Sequence, residues 1–204
     1  MKIIKIAFVV LLLLANLVFA PPSWADAGKF KKTPEYAEVN QQIADLANPE
    51  KTSGMTPEAI GQRLADLRFE KYILETSEDR ASCRNQTDKT LAIYAKPKKS
   101  TAAPTLYYLG AGKTTDDDFE CVGIYLPTGS KAALNPVAAE ELTEAIALKF
   151  VPGTQLIATT NPETGAIELN VPVTTAFKAG AANWEIPALA QTDIDAQTPN
   201  APID

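Results

Sequence analysis

Among the residues able to do chemistry, one absence outweighs every presence: the 204-residue chain contains no histidine. Imidazole acid–base work, Ser-His-Asp and Cys-His catalysis, and histidine-ligated zinc therefore drop out together. The patterns G-x-S-x-G, G-x-G-x-x-G and G-x-x-x-x-G-K-[ST] are absent as well. Gly110-Ala111-Gly112-Lys113-Thr114 comes nearest to the end of a phosphate loop, but Tyr107 stands where the leading glycine is required.

Three groups of side chains remain. Cys83 and Cys121 are the only cysteines, and their spacing is far from the C-x-x-C of a dithiol redox pair. In an oxidising compartment two such thiols pair, so a Cys83–Cys121 disulfide is expected. Asp116, Asp117, Asp118 and Glu120 form the one dense acidic cluster, whose oxygens suit a hard cation. The acids lack the alternating spacing that would aim them at one ion, and consecutive side chains point apart, so a solvated turn is expected, with no metal or cofactor. Carboxylates alone can hydrolyse glycosides, but nothing singles out one pair among 25 acids. Tyr94, Tyr107, Tyr108 and Tyr125 fall on three probable strands, and any that share an outer face are candidate surface aromatics for a ligand or partner.

The compartment follows from the first residues. Lys2 and Lys5 precede the apolar run Ile6 to Phe19, which is too short for the roughly 20 residues of a membrane-spanning helix and has the size of a signal-peptide core. Ser23-Trp24-Ala25 is the better cleavage site, because Pro21 would follow a cut after Ala20. Residues 1–25 are read as a cleaved signal peptide, and no stable membrane insertion is expected afterwards. The remainder holds 17 basic and 25 acidic residues, a net charge of −8. That balance offers no footprint for nucleic acid.

The elements that must position these groups start with residues 26–33, a loose basic lead-in. Thr33-Pro34-Glu35 is a helix start, with a capping hydroxyl, a proline in the first turn and an acid at the positive dipole end. Tyr36, Val39, Ile43 and Leu46 then give one apolar stripe up to Asn48-Pro49. Thr56-Pro57-Glu58 repeats the signal, and Ile60, Leu64 and Leu67 carry a second helix to about Arg68, leaving 69–75 open between helix and strand. Residues 76–89 are polar and read as a loop or short exposed helix; Asn85-Gln86-Thr87 matches the N-x-T glycosylation pattern.

Residues 90–96, 105–110 and 119–126 are β-branched and aromatic, and the simplest connection is an antiparallel meander. Asn135-Pro136 opens a further helix, with Val137, Leu142, Ala145 and Ile146 as its apolar face. Residues 155–160 and 166–171 flank a five-residue turn ending in Gly165 and read as a hairpin. Trp184 is isolated, and from Pro187 the chain is expected to be a disordered tail, 187–204. The whole reads as a single α+β domain, 34–186: an N-terminal helix pair, an antiparallel sheet, one further helix and a C-terminal hairpin.

Together these features imply a secreted or periplasmic, non-enzymatic accessory or binding protein of a bacterial extracytoplasmic compartment, acting on a protein partner. The alternatives are a small hydrolase working with carboxylates only, and an inhibitor or immunity-type partner of another secreted protein.

Overall fold

Helix α1 (Pro34–Leu46) begins where the sequence places its cap: the Thr33 hydroxyl accepts the Tyr36 N–H at 3.4 Å. Thr56 does the same for α2 (Pro57–Thr76), accepting the Ala59 N–H at 3.2 Å. The computed structural model describes residues 28–77, 81–134, 139–171, 175–178 and 184–203, so the signal-peptide reading falls outside them. Residues 69–75, open in the sequence, continue α2, because Leu67, Glu70 and Leu74 recur at helical spacing on its buried side. The lead-in is not loose at its end: Lys29–Lys32 is a 3-10 turn that buries Phe30.

The two helices pack through Val39, Leu67 and Leu74, and onto the rest of the molecule through Phe30 and Val151. Three polar ties run between them. Tyr36 Oη donates to Glu75 Oε1 at 2.7 Å, Lys71 Nζ to Asn40 Oδ1 at 2.7 Å, and Arg63 Nη2 to Gln42 Oε1 at 2.6 Å.

Among the described residues, ten strands follow in two five-stranded sheets. The first contains β1 (Ser82–Asn85), β5 (Lys131–Ala132), β6 (Glu140–Glu141), β8 (Gln155–Thr160) and β9 (Ile167–Leu169), in the order β1-β8-β9-β5-β6. The second contains β2 (Leu91–Pro97), β3 (Thr105–Leu109), β4 (Phe119–Leu126), β7 (Ile146–Lys149) and β10 (Thr175–Lys178), in the order β10-β7-β4-β2-β3, with every pairing antiparallel. Mixed α+β architecture with an N-terminal helix pair and one further helix is thus observed. The 155–171 hairpin is present, with Ala158 opposite Leu169 and Gly165 left-handed at φ 70°.

Four details differ from the sequence reading. The strands do not form a meander: β2 lies between β3 and β4. Five of its seven residues are buried, so it takes an interior position, whereas β3 exposes Thr105 and sits at the edge. The Cys83 segment is a strand, hidden because its inward residues are Cys83 and the polar Asn85. Residues 135–138, the start of the expected helix, lie outside the described residues; beyond them Glu140–Glu141 and Ile146–Lys149 are strands. A short apolar run is equally compatible with a buried strand, and pairing on both sides of Ile146–Lys149 decides between them. The further helix is α3 (Gln191–Asp195), inside the stretch expected to be disordered.

The two sheets enclose a core of Ile93, Leu109, Ile124 and Leu148 against Leu156, Ala158 and Val171. The disulfide joins Cys83 of one sheet to Cys121 of the other, Cα to Cα 5.7 Å. Alternation along the second sheet sends Ala92, Tyr94, Tyr125 and Ala147 to its other face. There the chain from Trp184 onward covers them with Leu189 and the fully buried Ile194.

Candidate functional site

The covered face ends short of one corner, and the corner is a cleft. Its position depends on a glycine: a Cβ on Gly123 would stand 2.6 Å from Trp184 Cζ3 and 2.4 Å from the Leu148 carbonyl oxygen. With no Cβ there, the indole lies against β4. Trp184 is then held by Tyr94, ring centroids 4.7 Å apart, and Phe177, 5.6 Å apart.

Beside the indole, β2, β4 and β7 each place one charged residue on this same face. Lys96 Nζ lies 3.8 Å from Glu120 Oε2, and Lys149 Nζ lies 3.9 Å from Glu35 Oε1, the acid at the start of α1. These four groups, with Val122, Pro104, Pro152 and Trp184, line a cavity of about 200 Å³. Glu120 is 8% exposed, the most deeply buried of the four. Among the described lining residues there is no serine, threonine or cysteine. The described lining residues therefore offer two ammonium groups, two carboxylates and an aromatic wall, but no oxygen or sulfur nucleophile other than carboxylate.

Most of the candidates from the sequence lie elsewhere. Tyr94 and Tyr125 are not surface aromatics: each is 1% exposed, because β2 and β4 are interior strands. Burial pushes both phenols above their ordinary pKa. Their hydroxyls are tethers. Tyr94 Oη donates to the Glu185 carbonyl at 2.8 Å, and Tyr125 Oη lies 2.8 Å from the Pro187 carbonyl and accepts the Leu189 N–H at 3.1 Å. That anchoring is the physical reason residues 187–203 are not a disordered tail. Tyr107 and Tyr108 are half-buried, the first edge-on to Phe119 at 5.9 Å, the second with its backbone bonded to Asn200 and Ala201.

The acidic cluster separates. Asp117 and Asp118 are exposed, the Asp116 carboxylate accepts the Asp118 N–H, and Glu120 turns to the cleft. No group of three or more Asp, Glu or Cys among the described residues is arranged to hold a metal. Asn85 is fully buried and its amide nitrogen donates to the Lys89 and Leu109 carbonyls, which leaves the N-x-T pattern no accessible acceptor in the folded chain.

Lys96, Lys149, Glu35 and Trp184 were not singled out from the sequence. A signal was there: the otherwise apolar strands LAIYAKP, FECVGIYL and IALK carry a single charge each. A second surface feature also escaped. Phe69 and Tyr72 of α2 are 40% and 59% exposed and stack on one another, centroids 6.5 Å apart. Both fall off the Leu67–Leu74 stripe, as a helical reading of 69–75 requires. The chain matches no protein-family model, no curated protein and no solved structure.

Proposed function

We propose that the protein is an exported, non-enzymatic accessory protein of a bacterial extracytoplasmic compartment, and that it works by binding. One observation carries this reading. Among its described lining residues the cleft presents its functional groups as two Lys–Glu pairs of opposite charge, with no serine or threonine hydroxyl or thiol to attack a substrate, and the chain has no imidazole to move a proton. Charge pairs beside an aromatic wall suit recognition. The disulfide between the sheets supports an oxidising compartment, and no described helix is long and apolar enough to cross a membrane.

Turnover is the test. The purified mature protein is incubated with peptide, ester, phosphate and glycoside substrates, and no activity is expected that disappears in Glu120→Gln. Hydrolysis abolished by that change in a folded protein would replace this reading with the carboxylate-only hydrolase.

The exposed Phe69–Tyr72 pair favours a second reading, in which the bound molecule is a protein. Exposed stacked aromatics at helical spacing have the composition of an interface anchor. Partner capture from the native compartment should then fall with Phe69→Ala and Tyr72→Ala and persist with Asp117→Asn.

A further inference from the structure

One helix carries most of the large apolar side chains that the fold leaves outside. Among the described residues four large hydrophobics are exposed, and three of them, Met55, Phe69 and Tyr72, lie on α2 or just before its first turn. Leu67, Glu70 and Leu74 define the buried side of that helix. At about 3.6 residues per turn, the opposite side runs through Glu58, Gly61, Ala65, Phe69 and Tyr72, all of them exposed.

Gly61 is the odd residue in this row. Inside a helix a glycine costs about 1 kcal/mol relative to alanine. The other described glycines have a local reason to lack a side chain, either a positive φ or an atom within 4 Å of the place a Cβ would take. Gly61 has neither. Nothing within the chain uses its bare backbone, so the close approach it permits is to another molecule.

Charge says which molecule. Glu58 lies three residues before Gly61, and Arg68 three residues after Ala65. Both are exposed, and neither has an ion-pair partner among the described residues. When α2 of a second copy lies antiparallel with its Ala65 opposite Gly61, Glu58 meets Arg68 of that copy and Arg68 meets its Glu58. In the same register Phe69 and Tyr72 run over the exposed Pro57 and Met55 of the copy. The face is complementary to itself, and a two-fold axis makes each contact twice.

We propose that the protein forms a two-fold dimer through antiparallel α2 helices, with Gly61 and Ala65 at the crossing, Phe69 and Tyr72 over Pro57 and Met55, and two Glu58–Arg68 pairs. The proposal rests on the reading of α2 as a protein-binding face and names the partner as a second copy. A helix of 20 residues presents a strip of about 30 Å by 10 Å. That is well below the ~800 Å² per partner of a standard interface, so the dimer is weak and exchanging.

Sedimentation velocity of the mature chain from about 10 µM to about 1 mM should show a monomer–dimer equilibrium with Kd of about 100 µM. Gly61→Arg should weaken the dimer at least about tenfold without lowering the melting temperature, because a Cβ there meets nothing within the chain and arginine is the better helix former. Tyr72→Ala should weaken it by a similar factor. Glu58→Lys and Arg68→Glu, each alone, set like charges opposite one another and should also lose dimer. Mixed, the two variants restore opposite signs in both pairs, and a heterodimer close to the parent affinity is expected. A monomer at every concentration, or a dimer indifferent to Gly61→Arg, overturns the proposal, and so does a mixture that recovers nothing. A monomer whose capture of another protein falls with Tyr72→Ala would assign α2 to a different partner: the second copy is then excluded while the protein-binding reading stands.

Discussion

The two-sheet region and the helix pair each bury a polar side chain, and they treat it in opposite ways. Asn85 on β1 is 0% exposed, and its amide is fully used: Nδ2 donates to the Lys89 and Leu109 carbonyls, and Oδ1 accepts from the Thr87 N–H and hydroxyl. Glu70 on α2 is 2% exposed, yet its Oε1 has no hydrogen-bond partner among the described residues. Its nearest cation is Arg63, 3.8 Å away, and that guanidinium is already bonded to Gln42. Burial pushes the Glu70 carboxyl up to about 7, with Arg63 opposing the rise and Asp66 and Glu38 adding to it. A satisfied polar group locks one arrangement of its neighbours, and an orphaned carboxyl makes its surroundings depend on pH.

The largest expected effect removes the covalent brace that only the sheets have. Closing a loop of 38 residues is worth about 4 kcal/mol in the chain-entropy model. The Cys83→Ser, Cys121→Ser double variant should therefore lower the melting temperature by roughly 10 °C. Calorimetry under identical conditions checks it, and an unchanged transition would sever the link between the disulfide and the sandwich's rigidity.

Next in size is Asn85→Ala. It leaves two carbonyls and an amide N–H without their partner in a buried site, at about 1 kcal/mol or more each, so roughly 3 kcal/mol is expected. Denaturant titration of this variant beside the parent measures it directly. A loss below about 1 kcal/mol would mean that water reaches the site, and the contrast with Glu70 would vanish.

The Glu70 effect is smaller and has a definite sign. An acid whose pKa is about 7 folded and 4.5 unfolded favours the folded state when protonated. That contribution is complete below about pH 4.5, falls as pH rises toward 7 and is gone above it. Between about pH 5 and pH 7 the parent should lose about 2 kcal/mol relative to Glu70→Gln, which stays neutral throughout. Unfolding midpoints of both proteins at the two pH values provide the test, and parallel pH dependence would show that Glu70 does not carry the change.

The same contrast explains what was legible in the sequence. Thr33-Pro34 and Thr56-Pro57 announce their helices locally, because a cap and a first-turn proline act within one turn. Gly165 announces its hairpin for the same reason. What was hidden depends on distant partners. Asn85 looks like loop chemistry until the Lys89 and Leu109 carbonyls meet it, and Ile146–Lys149 is a strand only because β4 and β10 flank it. The tail from Pro187 is polar and alanine-rich, and its order comes from the buried tyrosines 94 and 125, nearly a hundred and about sixty positions earlier. The cleft was missed on the same grounds. Its four charges come from four separate elements, and only the sheet register and the Gly123 contact bring them to the indole.

The smallest expected effect on stability bears most directly on function. Phe69 and Tyr72 project from α2 on the side away from Glu70, and neither fills the core. Truncating an exposed side chain changes stability by about 0.5 kcal/mol or less. Tyr72→Ala should accordingly leave the unfolding midpoint where it is and leave the Glu70-dependent pH profile intact. If the pair anchors a protein partner, the same change should cost that complex about 2 kcal/mol, near thirtyfold in Kd, because a stacked aromatic at an interface centre carries a large share of its affinity. Measuring stability and partner affinity on one variant separates the two roles. A large drop in midpoint would make Tyr72 part of the helix-pair packing, and undiminished affinity would remove α2 as the binding face.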